Sequence, residues 1–157
     1  MTNVASIFGP VVLHIEDDAE LGGLVSRSFM ERGINTILQR TLRDSLEYLR
    51  GTDRLPDVIL LDLGLPDSHG LATLVAIVHE AMGIPIVVFT GQDADEGDIE
   101  TIRRGSADYL VKGAVDLRDL AKLVEGLADG RTAPEFIDRS NSQVIQMVER
   151  VRDVMEG

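Results

Sequence analysis

Five short runs dominated by Val, Ile and Leu recur along the chain, at 11–15, 34–38, 58–61, 86–89 and 108–111, and each precedes a longer segment with apolar residues at helical spacing. A short apolar run followed by an amphipathic segment is the pattern of a βα unit, and such units in series build a parallel sheet with helices on both faces. The runs are rich in β-branched residues and show little alternation, which predicts strands buried on both faces, interior to the sheet. The expected fold class is α/β, a doubly wound five-stranded parallel sheet. Leu21, Leu24, Val25, Ser28 and Phe29 share one helical stripe, with Gly33 where a C-cap belongs. Thr41 and Asp44 have the spacing of a capping box ahead of Leu42, Leu46 and Leu49, and Gly51 and Pro56 close that helix and open the third strand. Leu71, Leu74, Val75 and Val78 give the third helix its apolar side, with Gly83 and Pro85 ending it. A more polar fourth helix is expected at about 96–104, and Asp116 or a neighbour caps a fifth carrying Leu117, Leu120, Leu123, Val124 and Leu127.

The 157 residues suffice for one domain with a short appendage, and 44% hydrophobic content supplies a core. The expected division is a domain over 1–128, a linker over 129–139 marked by Gly130 and Pro134, and a C-terminal amphipathic helix over 140–157. That last segment starts with a Ser140 and Gln143 capping pattern, and Val144, Met147, Val148, Val151, Val154 and Met155 form one stripe. The stripe needs a partner, either the domain itself or a second copy in a homodimer, because a helix this short is marginal alone. With no cysteine, disulfides, thiolate metal sites and a cysteine nucleophile are excluded. A formal charge of −12 argues against nucleic-acid binding by this chain alone, which would need clustered Lys and Arg to release counterions. No window approaches eighteen uninterrupted apolar residues, and the first ten positions lack a basic segment with a long apolar run, so neither export nor a membrane location is expected.

In an open parallel sheet the reactive crevice lies beyond the carboxyl ends of the strands. Glu16, Asp17 and Asp18 follow the first run, Asp62 the third, Thr90 the fourth and Lys112 the fifth, whereas the second is followed only by Gln39 and Arg40. Carboxylates converging at one edge repel unless a cation intervenes, and oxygen ligands suit Mg²⁺ far better than Zn²⁺. With that metal and the Lys112 ammonium neutralising a phosphoryl group, and Thr90 hydrogen-bonding it, Asp62 is placed to be an in-line nucleophile.

The segments VLHIEDD, VILLDLGLPDSHG, VVFTG and ADYLVK, in this order and spacing, resemble the receiver domains of bacterial two-component response regulators over roughly residues 10–128. The resemblance implies a flavodoxin-like receiver fold and a cytoplasmic signalling switch. It makes Asp62 the phosphoacceptor, Asp17 a direct Mg²⁺ ligand, the backbone carbonyl of Gly64 another, and Glu16 an acidic neighbour acting through water. Thr90 becomes the switch hydroxyl, Tyr109 the aromatic that swings inward with it, and Lys112 the ammonium on a phosphoryl oxygen. It further implies a sensor histidine kinase or histidine phosphotransfer protein as donor, and a downstream protein target at the face of the fourth helix, fifth strand and fifth helix. Such a domain catalyses its own phosphorylation and dephosphorylation, with no separate substrate turned over. The chain departs from the family in one place: Lys112 precedes Gly113 where a proline usually follows, so the loop into the last helix is expected to be more flexible or differently shaped. Gly64 and Gln92 stand where the family adjusts the lifetime of the phosphorylated state.

Each residue also has a plainer reading. Asp18 fits a helix-start carboxylate better than a third ligand. His14 fits a packed core histidine, His69 and His79 flank a helix, and none is assigned a phosphohistidine role. Tyr109 alone fits half-buried packing. Three other functions compete: a regulatory module of a larger output protein, a Mg²⁺-dependent aspartyl-nucleophile phosphohydrolase, and a flavodoxin-like nucleotide binder. The second lacks a general acid two residues after Asp62, where Gly64 stands, and the third lacks a Gly-, Ser- or Thr-rich loop after the first strand.

Overall fold

The computed structural model of the chain describes residues 9–91 and 96–130. Within them run β1 (Val11–Ile15), α1 (Ala19–Met30), β2 (Asn35–Gln39), α2 (Leu42–Gly51), β3 (Val58–Leu61), a short pair β4 (Gly64–Leu65) and β5 (Ser68–His69), α3 (Leu71–Ala81), β6 (Ile86–Thr90), α4 (Glu96–Gly105), β7 (Asp108–Val111) and α5 (Leu117–Ala128). β2, β1, β3, β6 and β7 form one sheet in that order, and every pairing in it is parallel. The chain steps outward from β1 to β2 and then returns past β1 to β3, so the crossover helices fall on both faces, as doubly winding requires. The linker and C-terminal helix expected at 129–139 and 140–157 lie, from residue 131 on, outside the described residues.

The sheet sorts its side chains by alternation. Leu13, Ile15, Ile59, Leu61 and Val88 point to the side covered by Leu49 of α2, Leu74 and Ile77 of α3 and Ile102 of α4. Val12, Val58, Leu60, Val87 and Phe89 point to the other, against Val25 and Phe29 of α1 and Leu120, Ala121 and Val124 of α5. Each such side chain stabilises the fold by about 1.5–3 kcal/mol on burial, so these two apolar layers dominate the packing. β1, β3 and β6 are buried throughout, as predicted. β2 and β7 are not: both are only half-buried for most of their length, because each lies at a sheet edge with one strand neighbour. Both also carry polar residues that the central strands largely lack, Asn35, Thr36 and Gln39 in β2 and Asp108 in β7, in keeping with an edge position.

Local chemistry sets the boundaries. The Asp18 side chain accepts the amides of Glu20 and Leu21 at the start of α1, and Asp116 accepts that of Arg118 at the start of α5. After α1, Gly33 takes a φ of 76° and Ile34 donates its amide to Phe29, so Ile34 completes the helix exit and β2 begins one residue later than the apolar run. α3 ends on Met82 and Gly83, both with positive φ, 47° and 98°. His14 is buried in β1 beside Leu60 on the α1–α5 face, and among the described residues its Nδ1 finds no hydrogen-bond partner, so the ring is packed with that nitrogen unsatisfied.

Candidate functional site

Parallel pairing turns the carboxyl ends of β1, β3, β6 and β7 to the same edge, and this alone brings Glu16, Asp17, Asp62, Thr90 and Lys112 together from four separate stretches of chain. Asp62 is their centre and is buried. Its Oδ1 accepts from the Thr90 hydroxyl at 2.8 Å and from the Gly64 amide at 3.1 Å, and its Oδ2 accepts from Lys112 Nζ at 2.8 Å. The same ammonium lies 2.6 Å from Glu16 Oε1, an ionic contact that leaves this fully buried oxygen without a directed hydrogen bond. Glu16 Oε2 accepts from the Asp18 amide at 3.1 Å.

Burial raises the Glu16 carboxyl to about 7, with the Asp62 charge adding to the effect and Lys112 opposing it. Burial would raise Asp62 as well, yet the hydrogen bonds from Lys112, the Gly64 amide and Thr90 hold it below the usual carboxylate range. Burial would lower Lys112, but the Asp62 and Glu16 carboxylates raise it above an ordinary lysine. Desolvation and the Lys112 charge lower His14 to about 4 against the opposing pull of Asp62, so it is neutral.

Carboxylate oxygens of Glu16, Asp17 and Asp62 lie within 4.8 Å of one another. Three carboxylates face one ammonium there, and among the described residues a buried Glu16 oxygen stands without a directed hydrogen bond, so the donor set fits a hard divalent cation. Asp18 is outside the cluster because its side chain is engaged as the α1 cap. Gly64 sits directly over Asp62, held by its own amide bond and by the β4–β5 pair, in which it faces His69. Tyr109 lies inward: it is buried in the layer with Ile102, and the Arg103 guanidinium stands 5.7 Å from its ring centroid. After Lys112, Gly113 takes a φ of 85°, a conformation proline does not reach, so the loop departs in shape from the family pattern as expected. Gln92 lies outside the described residues.

Beside Asp62 opens a cavity of about 540 Å³, walled by Thr90 and Lys112 on one side and by His69, Asp98 and Ile102 on the other. His69 and Asp98 were not legible as parts of this wall. They come from a two-residue strand and a polar helix, neither of which marks a strand end.

A doubly wound parallel sheet with an acidic pocket, a threonine and a lysine at its carboxyl edge defines a signalling receiver architecture. The family described as response regulator receiver domain matches residues 12–125, and the chain belongs to it. Among curated relatives, the regulatory protein LuxO of Vibrio vulnificus is 36% identical over 98 residues, covering 62% of this chain and 21% of that protein. The swarming motility regulation protein RssB of Serratia marcescens is 34% identical over 101 residues, covering 64% of this chain and 45% of that one. The chain therefore matches a fifth to under half of the length of these relatives. Among solved structures, the receiver domain of the Francisella response regulator 1452 superposes with a TM-score of 0.68 at 27% identity, covering 79% of this chain and 99% of that one. Receiver domains of this family serve phosphorylation-dependent signalling and bind Mg²⁺ at an acidic pocket. Among the described residues no helix is long and apolar enough to cross a membrane.

Proposed function

We propose that this chain is a cytoplasmic phosphorylation switch in which Asp62 accepts a phosphoryl group from the phosphohistidine of a sensor kinase or phosphotransfer protein. The observation that carries the reading is the hydrogen bonding of Asp62: Thr90 and Gly64 hold one oxygen, Lys112 holds the other, and carboxylate oxygens of Glu16, Asp17 and Asp62 lie within 4.8 Å of one another. In the transfer an Asp62 oxygen forms the O–P bond as the donor's N–P bond breaks and the imidazole departs. Asp17, Asp62 and the Gly64 carbonyl would hold Mg²⁺ directly, with Glu16 acting through water, and the cation would neutralise charge on the phosphoryl oxygens. Lys112, already 2.8 Å from Asp62 Oδ2, ion-pairs with a second phosphoryl oxygen, and the Thr90 hydroxyl turns from Oδ1 to a third. Hydrolysis of the acyl phosphate by water returns the carboxylate.

The movement of Thr90 is coupled to Tyr109 and alters the face of α4, β7 and α5, where a downstream protein target docks. Because the curated relatives extend well beyond the matched part, the reading includes a regulatory module over 1–128 acting on an output region, with 129–139 as linker. The amphipathic segment expected at 140–157 would then find its partner either in the domain itself or in a second copy of the chain.

Wild type and Asp62→Asn are incubated with Mg²⁺ and a small acyl phosphate, and intact mass is followed. The reading expects one phosphoryl group on wild type alone, abolished by EDTA. A wild type that binds Mg²⁺ and gains no mass, or a variant that gains as much, overturns it.

A further inference from the structure

Of the five strand ends, that of β2 carries no carboxylate or hydroxyl, only Gln39 and Arg40. The structure nonetheless attaches both ligand-bearing loops to the junction that follows it. The Gln39 carbonyl accepts the Glu16 amide at 2.9 Å, and the Arg40 guanidinium donates to the Asp17 carbonyl at 3.1 Å, so the loop after β1 is anchored there. The loop after β3 is anchored by Asp67, an exposed residue in the turn between β4 and β5, whose two carboxylate oxygens accept the amides of Leu42 and Arg43 at 2.9 and 3.0 Å. Those are first-turn amides of α2, which a helix cannot satisfy from within itself. The helix's own cap, Thr41, takes only the Asp44 amide, at 3.0 Å.

The geometry points to Asp67 as a positioning residue for the metal site, a clamp that fixes the Gly64 backbone against the Glu16–Asp17 loop through the β2–α2 junction. This rests on the reading of Asp62 and its ligands given above. Gly64 pairs with His69 and Leu65 with Ser68, which leaves Pro66 and Asp67 as the turn, so a force on Asp67 reaches Gly64 through a single rung of backbone pairing. The other fastenings of the loop, Gly70 N to Leu63 O at 2.8 Å and Ser68 Oγ to Thr73 Oγ1 at 2.6 Å, tie it to its own base and to α3. Among these bonds only Asp67 joins it to the segment that also holds Asp17. Both oxygens are used, so Asp67→Asn keeps one acceptor and Asp67→Ala keeps none.

The test titrates MgCl₂ into the full chain, reading amide shifts of Asp17 and Gly64, with thermal unfolding measured in parallel. Asp67→Ala is expected to weaken Mg²⁺ binding about tenfold or more, within the range for groups that orient metal ligands, with Asp67→Asn in between. Thr41→Ala removes a cap from the same helix end without touching the turn, so it lowers Tm by roughly 3–6 °C and leaves Mg²⁺ affinity unchanged. If Asp67→Ala lowers Tm as Thr41→Ala does and binds Mg²⁺ as wild type does, Asp67 is only a cap and the inference fails alone. Should Asp67→Ala not fold, Asp67→Asn carries the same comparison. A wild type whose Asp17 and Gly64 amides do not respond to MgCl₂ overturns the reading of the metal site and this inference with it.

Discussion

Replacing Glu16 by Gln removes the one buried carboxyl of the pocket whose ionisation the fold resists. In the folded chain it titrates at about 7 instead of 4.5, chiefly through burial. Below pH 4.5 the group is neutral in both states and folding loses nothing. Between 4.5 and 7 the unfolded chain ionises while the folded one does not, so stability falls as pH rises, by on the order of 3 kcal/mol once both are charged. The variant carries no such charge, and its amide oxygen can take the place of Oε1 beside the Lys112 ammonium. Urea unfolding in EDTA is therefore expected to find Glu16→Gln more stable than wild type by up to about 3 kcal/mol at pH 8, with the difference vanishing near pH 4.5. Adding Mg²⁺ at pH 8 stabilises the ionised wild type and shrinks the gap, because the cation replaces the solvation that burial removed. If the two proteins are equally stable at pH 8 without metal, Glu16 is not held against its charge and the electrostatic argument for a cation site collapses.

His14 provides the opposite slope: its folded value of about 4 lies below 6.5, so stability is complete above 6.5 and is lost as pH falls toward 4. His14→Leu should move the acid-unfolding midpoint measured by circular dichroism to lower pH, and an unchanged midpoint would contradict a neutral buried imidazole. Phe29→Ala opens a cavity between α1, α5 and the sheet at a fully buried site and is expected to cost about 3–5 kcal/mol by urea unfolding. A loss under 1 kcal/mol would mean that the layer repacks. Gly23 lies within α1, where an added Cβ would meet only the Arg27 guanidinium at 3.8 Å, so Gly23→Ala should stabilise by about 0.5–1 kcal/mol in thermal unfolding. A decrease would show an unseen clash.

The amino-acid sequence alone carries much of this architecture. The periodicity of apolar runs determined that the chain builds βα units, because a strand buried on both faces leaves a continuous run of Val, Ile and Leu that a half-exposed strand does not require. Strand-end position singled out Asp62, Thr90, Lys112 and the Glu16–Asp17 pair, since parallel winding leaves those positions at one edge whatever the order of the strands. Asp18 has a capping role available locally, as a carboxylate before a run of helical spacing, and its side chain takes that role. What sequence could not decide is anything carried between elements distant along the chain. That β2 and β7 are edges follows from strand order, at which the sequence hints only through the polar Asn35, Thr36 and Asp108 in those two runs. That His14 Nδ1 has no partner among the described residues depends on what the opposing helices bring to it. And Asp67 reads as an ordinary turn acid until the turn is folded against α2, because a side chain capping a helix from another loop obeys no spacing rule; only the tertiary structure, by placing that turn beside two orphan amides, gives it a task.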